Sequence, residues 1–499
     1  MSTPAARAYQ ALSDRFRRLS ALEDAMGMLS WDRSVMMPAG GAASRAETSA
    51  ALATLHHDLL VDGHVGDWLD EAAEGAAGLT AWQAANLREM KRSYIHSTAL
   101  SGELVEAVSL AASECEHVWR TARAESNFAL VQPTLTHLLG LVREVAQAKA
   151  QALGVSAYDA LLDEYEPDGR SADIDVLFSE LEAFLPSFLP QVLAAQGAEP
   201  PAPQGPFPVA TQEALCRRLM QTLGFDFDHG RLDVSTHPFC GGTPQDVRIT
   251  TRYRDDDYSG SMMGVLHETG HGLYERGLPT EWAGQPVGRA RGMSIHESQS
   301  LLMEMQACRS REFVTYTAPL LREAFGGSGP AWETDALYKR AIRVERGFIR
   351  VDADEVTYPL HVILRYRLEK ALIEGRMEAA DLPDAWNALF QSLVGVPVPE
   401  DRVGCLQDIH WYDGAWGYFP TYTLGALTAA QLFAAAVAAD PQIPAGLERG
   451  DFAPLLAWLR PNIHARASSL STRDLLIAAT GKPLSTEAFK AHLQRRYAV

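Results

Sequence analysis

The sequence places His267, Glu268, Thr269, Gly270 and His271 in that order. On a helix, positions four apart share a face, so both imidazoles reach a single ion. Glu268, one residue on, lies about 100° around the axis. It flanks such an ion instead of ligating it, where a base takes a proton from water. The flanking residues favour a buried helix. Met262, Met263, Val265, Leu266 and Leu273 are apolar, Asp255, Asp256, Asp257 and Ser259 offer caps, and Arg276 and Gly277 suit a C-terminal end. Two unpaired histidines inside such a helix would be costly. The plain alternative is a pair of core histidines with ordinary hydrogen bonds. Gly270 and Gly272 each weaken a helix by about 1 kcal/mol, which is tolerated where backbone or substrate approaches closely.

Two histidines need a third ligand. The metzincin pattern would require Gly at 274 and His at 277, but the chain has Tyr274 and Gly277. A carboxylate from a second helix is the other solution. Residues 294–299 begin such a helix, with Leu301, Leu302 and Met305 as its apolar stripe and Glu297 as the candidate. Ser294-x-x-Glu297 is equally the spacing of a capping box, and spacing leaves both readings open. His296 competes as ligand but points about 100° away from Glu297.

The elements that must position these groups read as mainly helical. Helix-spaced apolar residues run over 5–29, resume over 44–60, and continue over 79–94, 101–128 and 133–153. Such a run predicts an N-terminal helical lobe, residues 1–200, forming one wall or lid of a cleft. Pro190 and the Pro-rich residues 199–203 mark its end, and residues 201–499 form a catalytic lobe, unless the two are one continuous domain. A helix over 211–223 follows. Then Val247, Ile249, Thr251 and Tyr253 alternate with polar residues, which is strand periodicity over 246–254. Residues 231–236 are its expected partner, with Gly241, Gly242 and Pro244 in the connection, and the strand is expected to pair with substrate backbone.

Of 499 residues, 47% are hydrophobic, ample for a large core. A formal net charge of -19 at pH 7 repels phosphate and argues against nucleic acid as a partner. The five cysteines are odd in number and widely spaced, as expected of buried thiols in a reducing compartment. No signal-peptide pattern opens the sequence, and no segment reads as a membrane span; the run over 424–439 is short, Ala-rich and holds Thr428 and Gln431. A cytoplasmic protein is expected.

A set of ordered motifs gives the sequence a family resemblance. His237-Pro238-Phe239 precedes Asp246-Val247-Arg248-Ile249-Thr250. The two-histidine motif follows, then His296-Glu297-Ser298-Gln299 and Ile349-Arg350-Val351-Asp352-Ala353-Asp354. Gly404-Cys405-Leu406-Gln407-Asp408-Ile409-His410-Trp411 closes the series. Trp31-Asp32, Met37-Pro38 and Leu161-Leu162-Asp163-Glu164-Tyr165-Glu166-Pro167 add to it in the N-terminal half. Together they resemble the thermostable (Taq) carboxypeptidase family of metallocarboxypeptidases.

The resemblance implies a cytosolic, homodimeric carboxypeptidase of broad specificity. Its fold would be mainly α, with a deep cleft and a small sheet beside the zinc-motif helix. It implies Glu297 as third metal ligand beside His267 and His271. One divalent ion per chain is expected, zinc first, with cobalt or manganese also suited to a mixed His/carboxylate site. The partners are peptides with a free C-terminus. A terminal carboxylate calls for an arginine; Arg350 is the first candidate, for the carboxylate or for blocking longer chains, and Arg248 the second, with structural ion pairs to the nearby Asp352, Asp354 and Asp246 as the plain alternative. His410 and Tyr418 are candidate oxyanion or substrate donors, with Tyr422 an alternative to Tyr418. Gln407 and Asp408 are candidate supports for the ligands. His237 is expected to shape a turn near the site. An endopeptidase or aminopeptidase with the same metal chemistry, and a helical scaffold that binds no metal, are the competing readings.

Overall fold

Helix starts are written into the chain by caps. In the computed structural model, which describes residues 3–497, Thr3 accepts the Ala6 amide at 3.2 Å and opens a helix over Pro4–Val35. Tyr9, Leu12, Phe16 and Leu19 bury on one face of it, as their spacing predicts. They meet Val65, Leu69, Leu87 and Met90 in a small satellite core. Part of that core comes from a helix over Gly63–Glu74 that the sequence reading passed over. At the far end Trp31 is buried, with the Arg248 guanidinium 4.4 Å from its ring. The first helix is thereby pinned to the sheet.

Packing does not divide at residue 200. Helices Gly102–Ala124, Phe128–Leu153 and Ser171–Ala195 share one core with Tyr358–Ile373 and Leu382–Val394. Leu138, Phe178 and Leu185 pack there with Val362, Leu364 and Phe390. A second core gathers Leu219, Leu266, Leu302, Phe313, Leu432 and Leu459. Pro190, read as part of a loop, lies with Pro186 inside the Ser171–Ala195 helix, while the Pro-rich residues 199–203 do lie in the loop that follows it. Two helices among the described residues, Ser171–Ala195 and Pro420–Ala439, are long and apolar enough to cross a membrane. That corrects the sequence reading, which found none. Both contribute residues to the protein core, and the second packs on Met293–Leu301, the helix that carries Glu297.

The sheet has three strands, β1 (Gly230–Val234), β2 (Phe239–Thr243) and β3 (Asp246–Thr251), in the order β1-β3-β2. β1 pairs with β3 in parallel, Leu232 opposite Ile249. β2 returns antiparallel, Cys240 opposite Ile249. Gly241 and Gly242, read from sequence as a connection, are strand residues, because paired glycines carry a turn signal whatever they build. β3 is central, so both its edges are taken and it offers no edge to a substrate. The free edge beside the cleft belongs to β2, whose Phe239 and Cys240 line it. Val247 and Ile249 press on the motif helix at Gly272, where an added Cβ would meet them at 3.1 and 3.2 Å.

The chain end is clamped by a buried carboxylate. Glu355 accepts from Arg496 (3.0 Å), His492 (2.9 Å) and the Tyr497 hydroxyl (3.0 Å). Burial opposes its charge, but Arg496 and His492 outweigh it and hold Glu355 down to about 2, against an ordinary 4.5. A depressed carboxylate stabilises fully above its unfolded value and loses that contribution as pH falls toward its folded value. Glu355→Ala leaves Arg496 buried and unpaired, at a cost of about 3–5 kcal/mol near neutrality. Urea unfolding of wild type and variant should show this gap at pH 7 and a narrowing gap from pH 4.5 toward 2. A gap that stays constant over this range would remove the carboxylate as its cause.

Candidate active site

The motif helix spans Ser259–Arg276. Its N-cap residue, Tyr258, contributes no side-chain cap. Asp257, one position earlier, accepts the amides of Ser259 (2.8 Å) and Gly260 (3.3 Å). At the other end Gly277 keeps a right-handed conformation and makes no left-handed cap. It crosses the Met293–Leu301 helix very closely at Gly270, where a Cβ would stand 2.6 Å from the Ser300 Cα. That near-contact of backbones brings Glu297 up to the histidines. Glu297 Oε2 lies 3.8 Å from His267 Nε2 and 3.4 Å from His271 Nε2.

The capping-box reading of Glu297 fails. The Met293–Leu301 helix has Gly292 as its N-cap residue, and its first amides go to the N-terminal half of the chain. Met293 N donates to the Tyr165 carbonyl (2.7 Å) and Ser294 N to Glu166 Oε2 (3.0 Å). Glu297 is therefore free to face the histidines, steadied by Ser300 Oγ at 3.1 Å. Gly425 on the Pro420–Ala439 helix leaves it room, since a Cβ there would stand 2.8 Å from Glu297 Cγ.

Each histidine is oriented from behind. His267 Nδ1 pairs with Glu304 Oε2 at 2.9 Å, and Glu304 is held by Arg309 at 2.9 Å. His271 Nδ1 meets His296 Nδ1 at 2.7 Å, and His296 Nε2 meets Glu275 Oε1 at 2.8 Å. Both contacts turn Nε2 toward Glu297, which is how supporting groups fix a ligating tautomer. His296 is thus a support, not a ligand. Glu304 and Glu275 were missed by the sequence reading. Glu304 is seven residues beyond Glu297, a spacing that shares its helix face, and it sits on a π-helical turn over Leu302–Cys308.

This donor set fits a divalent cation. One donor atom each from His267, His271 and Glu297 lies within 4.8 Å of the others. Around these donors stand the buried Glu268 and the half-buried Glu304, with Arg309 as the permanent cation beside them. Burial disfavours a charge on His267, yet Glu297, Glu304 and Glu268 outweigh it and push it up to about 10. Burial, with His296 and His267 beside it, takes His271 down to about 4. Burial also pushes Glu268 up to about 7, with His267 opposing and Glu297 adding. The site attracts positive charge and presents it with two Nε2 atoms and a carboxylate oxygen.

The site forms part of the wall of a cleft of about 870 Å³. His237, Glu268, Arg350, Tyr418 and Tyr422 all line it. Arg350 is 5% exposed and holds Asp408 at 2.9 Å, its guanidinium 4.7 Å from the Tyr422 ring. Asp408 also takes Arg365 at 2.6 Å, so two arginines share one carboxylate. Three other candidates stand off the cleft. Arg248 pairs with Asp246 (2.6 Å) and covers Trp31, because the strand pleat turns it away from its neighbours Val247 and Ile249. Gln407 accepts the Arg350 amide (2.9 Å) and donates to the Val403 carbonyl (2.8 Å), which makes it a support for the Arg350 segment. His410 packs on Phe419 and reaches the cleft through the Tyr422 hydroxyl at 3.4 Å. Burial lowers His410 to about 4.

A buried two-histidine helix completed by a carboxylate from a crossing helix, with a base facing the cleft, makes this a metallopeptidase-type centre. Comparison with known proteins makes the class specific. Residues 11–497 match the carboxypeptidase Taq (M32) metallopeptidase family. The chain is 38% identical to thermostable carboxypeptidase 1 of Thermus thermophilus, with 99% of each covered. It is 32% identical to carboxypeptidase 1 of Bacillus subtilis, with 97% of each covered. Its fold superposes on metallocarboxypeptidase 1 of Trypanosoma cruzi with a TM-score of 0.97 at 40% identity, covering 99% of this chain and 100% of that one. The M32 carboxypeptidase of Deinococcus radiodurans gives 0.91 at 32% identity, covering 99% of this chain and 100% of that one. The chain belongs to the carboxypeptidase Taq (M32) metallopeptidase family. It is a metallocarboxypeptidase, a peptide hydrolase that uses a divalent ion.

Proposed function

We propose that the enzyme removes single residues from the free C-terminus of peptides, with broad preference, and that Glu268 is its general base. The carrying observation is Arg350, a buried guanidinium on the wall of the cleft that also holds the metal-ligand set. Asp408 is divided between Arg350 and Arg365, so the pair keeps a net positive charge. A terminal carboxylate bound by Arg350 would leave the last peptide bond in the same cleft as Glu268.

His267, His271 and Glu297 would hold the ion, which we take to be zinc, with cobalt or manganese also compatible with these donors. When bound, it supplies Lewis acidity toward water and the scissile carbonyl. Glu268 takes the proton of the attacking water on a carboxylate oxygen and gives it to the leaving amine. Tyr418 and Tyr422 line the same cleft, and their hydroxyls would donate to the developing oxyanion. His410 orients Tyr422 from behind. We further take the enzyme to be a cytosolic homodimer. The cytosolic assignment is supported by its cysteines, all five of which are free thiols.

Mass spectrometry of a short peptide mixture tests the reading. Stepwise loss of C-terminal residues is expected, and internal or N-terminal cleavage would overturn it. Arg350→Ala should lower kcat/KM on free-acid peptides by about 10- to 100-fold, the worth of a hydrogen bond to a charged group. The same peptides with an amidated C-terminus should be affected far less. Equal losses on both would remove Arg350 from carboxylate recognition.

A further inference from the structure

We propose that Arg252 forms a second anion-recognition point in the cleft, a subsite for an acidic side chain of the bound peptide. Four arginines line the cleft, Arg252, Arg254, Arg309 and Arg350. Two are committed to acids of the chain, Arg254 to Asp256 at 2.8 Å and Arg309 to Glu304 at 2.9 Å, and Arg350, which shares Asp408 with Arg365, is the one assigned above to the terminal carboxylate. Arg252 is exposed, and among the described residues it makes no hydrogen bond, ion pair or ring contact. Of the three acids that follow it, Asp256 is occupied by Arg254 and Asp257 by the first amides of the motif helix, and the exposed Asp255 makes no ion pair with Arg252. In a chain of net charge -19, this is a cation whose natural counter-ion must enter the cleft from outside.

Its position says which part of a peptide it meets. Thr251 Oγ1 donates to the Ser261 carbonyl at 3.3 Å, so residue 252 sits beside the first turn of the motif helix. His267 lies six positions beyond Ser261, about 9 Å along a helix axis. An extended peptide covers that in about three residues. Only one residue lies on the C-terminal side of the bond if single residues are released, so Arg252 faces residues upstream of it. That placement rests on the single-residue reading proposed above. A guanidinium there takes an Asp or Glu carboxylate in a planar, bidentate fork.

The test uses metal-loaded enzyme and N-acetylated alanine peptides with Glu or Gln at the third, fourth or fifth residue from a free C-terminus. At low salt kcat/KM should favour Glu over Gln by about two- to fivefold at one of these positions, the worth of an exposed ion pair. The preference should fade at high salt. The enzyme's overall negative charge works against Glu, so the preference is diagnostic. It should fall to one in Arg252→Gln and reverse in Arg252→Glu. Because the ratio is taken within each variant, general damage cancels. A wild-type ratio of one at all three positions, or an unchanged ratio in Arg252→Gln, overturns the subsite. Product masses separate the two readings. Single-residue loss without a Glu preference removes only the subsite. Internal cleavage removes the single-residue reading, and a Glu preference that still vanishes in Arg252→Gln keeps the subsite.

Discussion

Glu268→Gln should leave the protein folded and metal-loaded and lower kcat by about 10²- to 10⁴-fold, the usual worth of a positioned general base. The variant keeps the shape of the side chain and removes its ability to hold a proton. Glu268 is 7% exposed and lines the cleft next to His267, yet it is not one of the three converging donors. Metal content should therefore stay at the wild-type level, and KM should move much less than kcat. Metal analysis beside steady-state kinetics separates the outcomes. A variant that retains more than a tenth of wild-type kcat with full metal would show that another group moves the proton. A variant that loses its metal would make Glu268 a ligand.

Glu297→Ala should lose the ion altogether, and with it essentially all activity. The substitution removes the only carboxylate of the three converging donors and leaves two half-buried imidazoles on the cleft wall. Glu304→Gln offers a graded comparison. It keeps a hydrogen-bond acceptor for His267 Nδ1 but loses the negative charge, so metal affinity should fall by about 10- to 100-fold without vanishing. Competition with a chelator at fixed pH measures both. If Glu297→Ala holds the ion as tightly as wild type, the third ligand lies elsewhere. If Glu304→Gln equals wild type, the orientation of His267 is set by packing alone.

The legibility of the site followed how local each signal is. His267 and His271 lie one helical turn apart, and that periodicity is a property of seven or eight consecutive residues. Glu297 was ambiguous because a capping acid and a ligand differ only in what stands opposite. The deciding partner of its helix, Glu166, comes from 128 residues before Ser294. Glu304 was readable in principle from its spacing to Glu297 but carried no motif. Arg248 and Arg350 looked alike in sequence, each beside an aspartate. Strand pleating sent one to Trp31, while Gln407 and Asp408 held the other at the cleft wall. The helical character of the fold was visible from apolar spacing throughout. The strand β2 was not, because Gly241 and Gly242 give no β signal, and its pairing depends wholly on β3.

The loop that carries Glu166 has a bearing on how this enzyme can be taken apart. The residues that would grip the ion all lie between 267 and 297, yet the first amides of the Glu297 helix are satisfied by Tyr165 and Glu166, and Glu166 is fastened in turn by Thr472 at 2.7 Å. Three distant stretches of chain thus meet at one helix end. No continuous excerpt around the two histidines contains its own scaffolding, so the catalytic segment is not a portable module. Transplantation or truncation schemes for this fold must carry nearly the whole polypeptide, and an ancestral enlargement by simple fusion of a ready-made catalytic piece is a poor description of how such a centre is built.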